Sequence, residues 1–155
     1  QHHGDGTEEI LADRPGVRFL SLFQWPLFPH RRMEPTPSNA VLSPLPAGAG
    51  GEDIRNVVEN VWLPEIDKFQ PDLMILSAGF DAHCEERIAQ LKAGEMDYAC
   101  VTRLLVEASF AYCEGRLVSV LEGGYELRSL ARSVFTHLQG LIRNPLPAET
   151  CKDPN

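Results

Sequence analysis

Three short loops hold the side chains that could do chemistry: Gln1-His2-His3-Gly4-Asp5-Gly6-Thr7, Ala78-Gly79-Phe80-Asp81-Ala82-His83 and Glu122-Gly123-Gly124-Tyr125. Adjacent histidines project in different directions, so one of His2 and His3 can ligate a metal while the other packs or hydrogen-bonds. A solvated terminus, or part of a purification tag, would show the same pair. The Gly-Asp-Gly-Thr that follows reads as a turn, with Thr7 capping a short helix. Asp81 lies in a glycine-flanked loop and is either a carboxylate ligand or a turn former. His83, two residues on, is a further ligand or a donor to one. Tyr125 follows two glycines that let the backbone turn tightly and bring the phenol close to a bound group. The bland alternative is a tyrosine at the edge of the core. Gly123-Gly124 also hints at a phosphate loop, but no GxGxxG or GxxxxGK[ST] accompanies it. A His, an Asp and a Tyr meeting at one sheet edge suit a hydrolytic zinc, with a hydroxyl aimed at the developing oxyanion.

The elements that would position these residues can be read from apolar spacing. Leu73–Leu76 and Leu117–Leu121 are nearly continuous apolar runs and predict buried parallel strands. Val17–Phe23, after the turn signal Pro15-Gly16, predicts a third. Between them, the apolar positions from Glu52 to Phe69 recur at a helical period, with Glu52 and Asp53 placed for the helix dipole and Pro64 expected to kink the helix. A second helix is expected over Met96–Cys113. A third begins near Glu126, with Leu127, Leu130, Ala131, Val134, Leu138, Leu141 and Ile142 as its inner face. Strands alternating with helices imply βαβ units and a parallel sheet covered on both faces. In such sheets chemistry sits past the carboxyl ends of the strands, which is where the Asp81 and Tyr125 loops fall. Residues 24–51 hold six of the twelve prolines and three glycines and predict a packed functional loop. The last twelve residues, 144–155, read as a loose tail after a single domain over 1–143.

Composition bounds the function class. The chain has 155 residues, 14 basic and 22 acidic, for a formal net charge of −8. Such an acidic chain has no whole-molecule attraction to nucleic acid or an anionic membrane. No apolar run approaches the roughly 20 residues that span a bilayer. The four cysteines, Cys84, Cys100, Cys113 and Cys151, form no CxxC pair, so reduced thiols in a cytoplasmic setting are expected.

In order, HHGDGT, SLFQWPLFP, PDLMILSAGFDAH and GRLVSVLEGGYELRSLARS resemble the second half of the histone deacetylase superfamily. The likeness leans to the class II-like branch that includes bacterial acetylpolyamine amidohydrolases, and it covers roughly residues 1–143. It implies the C-terminal part of the arginase/deacetylase fold: an α/β, three-layer arrangement with helices on both faces of a parallel sheet. It also implies zinc-dependent hydrolysis of an acetylated amine, either acetyl-lysine or an acetylated polyamine. Carried over by motif, His2 and Asp81 match zinc ligands, and Tyr125 matches the tyrosine that hydrogen-bonds the substrate carbonyl. Phe28, before Pro29, matches an aromatic lining the acyl channel, with Gly123 and Gly124 beside it. Ser21 matches a serine near a structural monovalent cation such as K⁺.

The chain also departs from the pattern. The family's first aspartate ligand would stand one position before Gln1, and the tandem histidines serving as general base lie further upstream. His30-Arg31-Arg32 follows Phe28-Pro29 where a glycine turn is usual, and Glu86-Arg87 replaces the common Asp-Pro after GFDAH. The expectation is a chain cut from a longer amidohydrolase, inactive alone and partnered by the missing N-terminal half. The alternative is a non-catalytic half-domain, or pseudo-enzyme, acting as a binding or regulatory module. A sheet cut mid-way would leave an apolar strand edge and favour homo-oligomers.

Overall fold

Apolar runs closed by turn residues become the strands in the computed structural model, which describes residues 2–30 and 34–142. The proposed tail, 144–155, and Arg31-Arg32 lie outside the described residues. In chain order the elements are α1 (Asp5–Leu11), β1 (Phe19–Gln24), β2 (Ala40–Leu45), α2 (Gly51–Val57), a π-helical turn (Val58–Trp62), α3 (Leu63–Phe69), β3 (Met74–Ala78), α4 (Glu95–Cys113), β4 (Leu117–Leu121) and α5 (Leu127–Leu141). β1 pairs in parallel with β2, Phe19 opposite Ala40, and β3 pairs in parallel with β4, Met74 opposite Leu117. The parallel α/β architecture is therefore present. Among the described residues it comes as two two-stranded pieces rather than one continuous sheet.

The 24–51 segment is not a loop throughout, because β2 lies inside it. Its prolines hid the strand: Pro44 stands in β2 opposite Phe23, a position tolerated where no ladder donor is required. Pro64 does not break its helix. It falls in the first turn of α3, where its missing amide is not needed. The preceding turn widens to the π form, with the Leu63 amide bonding the Val58 carbonyl. Gly4, with φ 75°, stands at the start of α1, so Thr7 is inside that helix rather than capping it.

Acidic residues anchor the helix starts as the dipole favours. The Asp53 carboxylate accepts from the Gly50 amide and Asp97 from the Gly94 amide, each at 2.8 Å. Asp97 also pairs with Arg55, tying α2 to α4. A side chain at Gly51 would run into that carboxylate, its Cβ 1.9 Å from Asp97.

Two apolar clusters form the core. One joins Leu45, Ile54, Ala82 and Leu91; the other packs Val58, Ile66, Leu105 and Ala108 against Met74, Leu76 and Leu117 on one face of the β3–β4 pair. The opposite face, carrying Ile75, Val118 and Val120, is exposed. α5 corrects the expected inner face. Its buried stripe is Ser129, Ser133, His137 and Gly140, while Leu127, Phe135, Leu138 and Ile142 point outward. Small residues let α5 lie close against α4; a Cβ at Gly140 would come within 2.8 Å of Thr102. Cys84 and Cys113 are free thiols.

Candidate active site

The strand ends and the amino-terminal loop converge on one cavity of about 360 Å³, walled in part by His2, Ser21, Asp81, Gly123 and Tyr125. Asp81 arrives from the loop after β3. Phe80 donates its amide to the Gly123 carbonyl (2.8 Å) and Glu122 donates to the Ala78 carbonyl (3.0 Å), which staples that loop to the one after β4. The Asp81 side chain is 4% exposed and fills the space a side chain at position 123 would need, its Oδ2 2.6 Å from an ideal Gly123 Cβ. Gly123 thus makes room for the carboxylate. Gly124, at φ 136°, lets the chain turn past Leu130 and Phe80 and is not itself a wall of the cavity.

His2 Nδ1 stands 3.7 Å from Asp81 Oδ2. Two donors bonded tetrahedrally to one zinc at about 2.0–2.2 Å sit roughly 3.4 Å apart, so the pair suits two corners of such a site. Nitrogen and carboxylate oxygen are also the donor types a hydrolytic zinc takes. His3 faces the other way, buried, pairing through Nε2 with the equally buried Glu8, its ring 4.3 Å from Phe23 and edge-on to it. Ser21 donates to the His3 carbonyl at 2.6 Å and holds that backbone in place. The adjacent histidines therefore split as their geometry requires: both line the cavity, but the His2 ring meets Asp81 while the His3 ring is tied to Glu8 in the core.

Phe28 is 64% exposed and edge-on to the His2 ring, centroids 6.2 Å apart. It stands beside His2 without being one of the cavity walls. Tyr125 is 57% exposed and is one of the cavity's walls. Tyr98, from α4, is a cavity wall that the sequence motifs did not single out; burial, and then the Asp81 charge, push its phenol well above the ordinary tyrosine range.

His83 does not join this site. Its Nδ1 accepts from the Glu85 amide at 3.1 Å and its Nε2 lies 3.4 Å from Glu95. His83, Glu85 and Glu95 bring donors within 4.8 Å of one another, but Arg132 already pairs with both carboxylates. Burial alone would raise the Glu95 carboxyl; Arg132 and His83 outweigh it and hold that group below its usual range. The group is an ion-pair network binding the Asp81 loop to α4 and α5. The residue that no motif revealed is Glu86, 9% exposed, whose carboxylate accepts from the Tyr125 and Glu126 amides.

The histone deacetylase domain family matches residues 1–141. This chain belongs to that family. The chain is 36% identical over 132 residues to a probable deacetylase of Archaeoglobus fulgidus, covering 81% of this chain and 37% of that protein. It is 33% identical over 158 residues to the mouse polyamine deacetylase HDAC10, covering 94% of this chain and 23% of the relative. Among solved structures, that of the HDA15 HD domain superposes with a TM-score of 0.84 at 29% identity, covering 99% of this chain and 44% of the other. The chain thus spans less than half the length of these relatives. No helix among its described residues is long and apolar enough to cross a membrane.

Proposed function

We propose that this chain supplies the C-terminal part of the active site of a zinc-dependent amidohydrolase that removes acetyl groups from acetyl-lysine or acetylated polyamines. The observation that carries this reading is His2 Nδ1 at 3.7 Å from the buried Asp81 carboxylate, on a cavity that Tyr125 also walls. His2 and Asp81 would hold the zinc. When bound, the ion lowers the pKa of a water and polarises a carbonyl. Gly79 and Gly123 leave the Asp81 carboxylate room, and Asp81 in turn faces His2. The Tyr125 hydroxyl donates to the substrate carbonyl oxygen as that oxygen gains negative charge, a bond stronger in the transition state than in the ground state. Phe28 offers an apolar wall to the acyl-carrying chain.

The partner in this reading is the remainder of the domain, which would bring the third ligand and the histidine base. Ser21 stands near a proposed structural K⁺ site. The test is hydrolysis of an acetyl-lysine peptide and of an N-acetylated polyamine by the chain alone and joined to the remainder of the domain. The expected result is no turnover alone and zinc-dependent turnover when joined, reduced about 10²–10³-fold by Tyr125→Phe. A joined domain that binds acetylated ligand without hydrolysing it would instead support the non-catalytic binding module, a reading favoured by the two donors that the described residues bring to this cavity.

A further inference from the structure

We propose that Glu86 is a positioning residue that fixes the Tyr125 hydroxyl relative to Asp81. Its consequence for catalysis rests on the reading of Tyr125 given above. The segment between β4 and α5 opens with Gly123-Gly124, and Gly124 takes φ 136°, so the backbone before Tyr125 has little intrinsic preference. What anchors it is one carboxylate oxygen. Glu86 Oε1 accepts from the Tyr125 amide at 2.6 Å and from the Glu126 amide at 2.9 Å. These are charge-assisted bonds to a side chain that is 9% exposed, at the start of a 15-residue helix whose dipole favours an anion there.

Glu86 belongs to the loop that carries Asp81, and the Glu86 amide closes a turn onto the His83 carbonyl at 3.0 Å. That loop is held independently by Arg132 of α5, which pairs with Glu85. Glu86 therefore makes one rigid unit of two loops that differ by 39 positions in sequence. The unit sets the separation between the Asp81 carboxylate and the Tyr125 side chain.

The test is amide hydrogen exchange on the whole chain, comparing wild type, Glu86→Ala and Glu86→Gln, with ¹⁹F NMR of 3-fluorotyrosine-labelled protein. Loss of the carboxylate is expected to speed exchange at the Tyr125 and Glu126 amides by about tenfold or more, while β4 amides stay within about twofold. Glu86→Gln keeps an oxygen at the same reach, so its effect is smaller and the Tyr125 fluorine signal returns towards its wild-type position. The Tyr112 signal stays in place and serves as the reference, because Tyr98 feels the Glu86 charge directly. The proposal is overturned if exchange at the two amides is unchanged, or rises equally across β4 and α4. Should Glu86→Ala not fold, Glu86→Gln decides by itself: a rise of a few-fold confined to Tyr125 and Glu126 supports the proposal, and no rise or a chain-wide rise overturns it. None of these readouts needs turnover, so a chain that proved not to be a deacetylase would still show whether Glu86 holds this loop.

Discussion

At the scale of single residues, the site depends on carboxylates given room by glycines. Asp81 occupies the volume a Cβ at position 123 would take. Gly123→Ala must therefore push the carboxylate or the loop aside, which costs about 1–3 kcal/mol. The expected outcome is a lower midpoint in chemical denaturation together with weakened zinc binding; an unchanged midpoint with unchanged zinc binding would contradict it. His2, Asp81 and Tyr125 were legible before the structure because each lies at a predicted strand end or in a glycine-flanked loop. Residue spacing alone left open which of His2 and His3 meets Asp81, and only the motif resemblance pointed to His2, since the choice depends on Glu8 and Phe23 capturing the His3 ring in the core. Glu86 was illegible for a different reason. A lone acidic residue in a loop carries no signature, and its partners are amides 39 and 40 positions away.

At the scale of elements, α4, α5 and β4 meet through His137. Thr102 gives its hydroxyl proton to the Tyr98 carbonyl, so its oxygen accepts from His137 Nδ1 at 2.7 Å, and Ser119 donates to Nε2 at 2.8 Å. Burial pushes the His137 pKa below its ordinary value of 6.5 and so favours the neutral imidazole, which accepts at Nε2 while its Nδ1–H donates. The unfolded chain then binds more protons than the folded one below about pH 6.5, so stability falls as pH drops through that window towards the lowered folded value. We expect denaturation midpoints to decrease between pH 7.5 and pH 5.5, and the slope to flatten in His137→Gln. An equal slope in both proteins would show that other groups govern the acid limb. The same helix explains a failure of pattern reading. The apolar stripe of α5 predicted its inner face, but the small residues Ser129, Ser133 and Gly140 permit the closer approach to α4, and packing overrides amphipathicity. β2 was missed because Pro44 within it and the prolines on either side signal a loop, although an edge position removes the cost of Pro44.

At the scale of the whole molecule, the described residues expose two separate apolar faces. Ile75, Val118 and Val120 on the β3–β4 pair, with Leu127, Phe135, Leu138 and Ile142 on α5, are each about half exposed or more. A surface of this kind on a single chain marks an interaction site or a tendency to aggregate. The chain alone is therefore expected to self-associate as its concentration rises, read by light scattering, and to do so less when joined to the remainder of the domain. A monodisperse monomer at high concentration would contradict this. The parallel α/β class was readable from the alternation of apolar runs with helical periods. The division into two strand pairs was not, because sheet continuity is set by contacts that no single run encodes.

Zinc titration followed by calorimetry decides whether His2 and Asp81 form part of a zinc site. The chain is expected to take up one zinc ion weakly, because catalytic zinc normally has three protein ligands and this cavity receives two from the described residues. Binding should be lost in His2→Ala and in Asp81→Asn, and should survive Glu85→Gln. Binding that persists without Asp81 but disappears without Glu85 would place the ion at the His83, Glu85 and Glu95 group instead and contradict the claim.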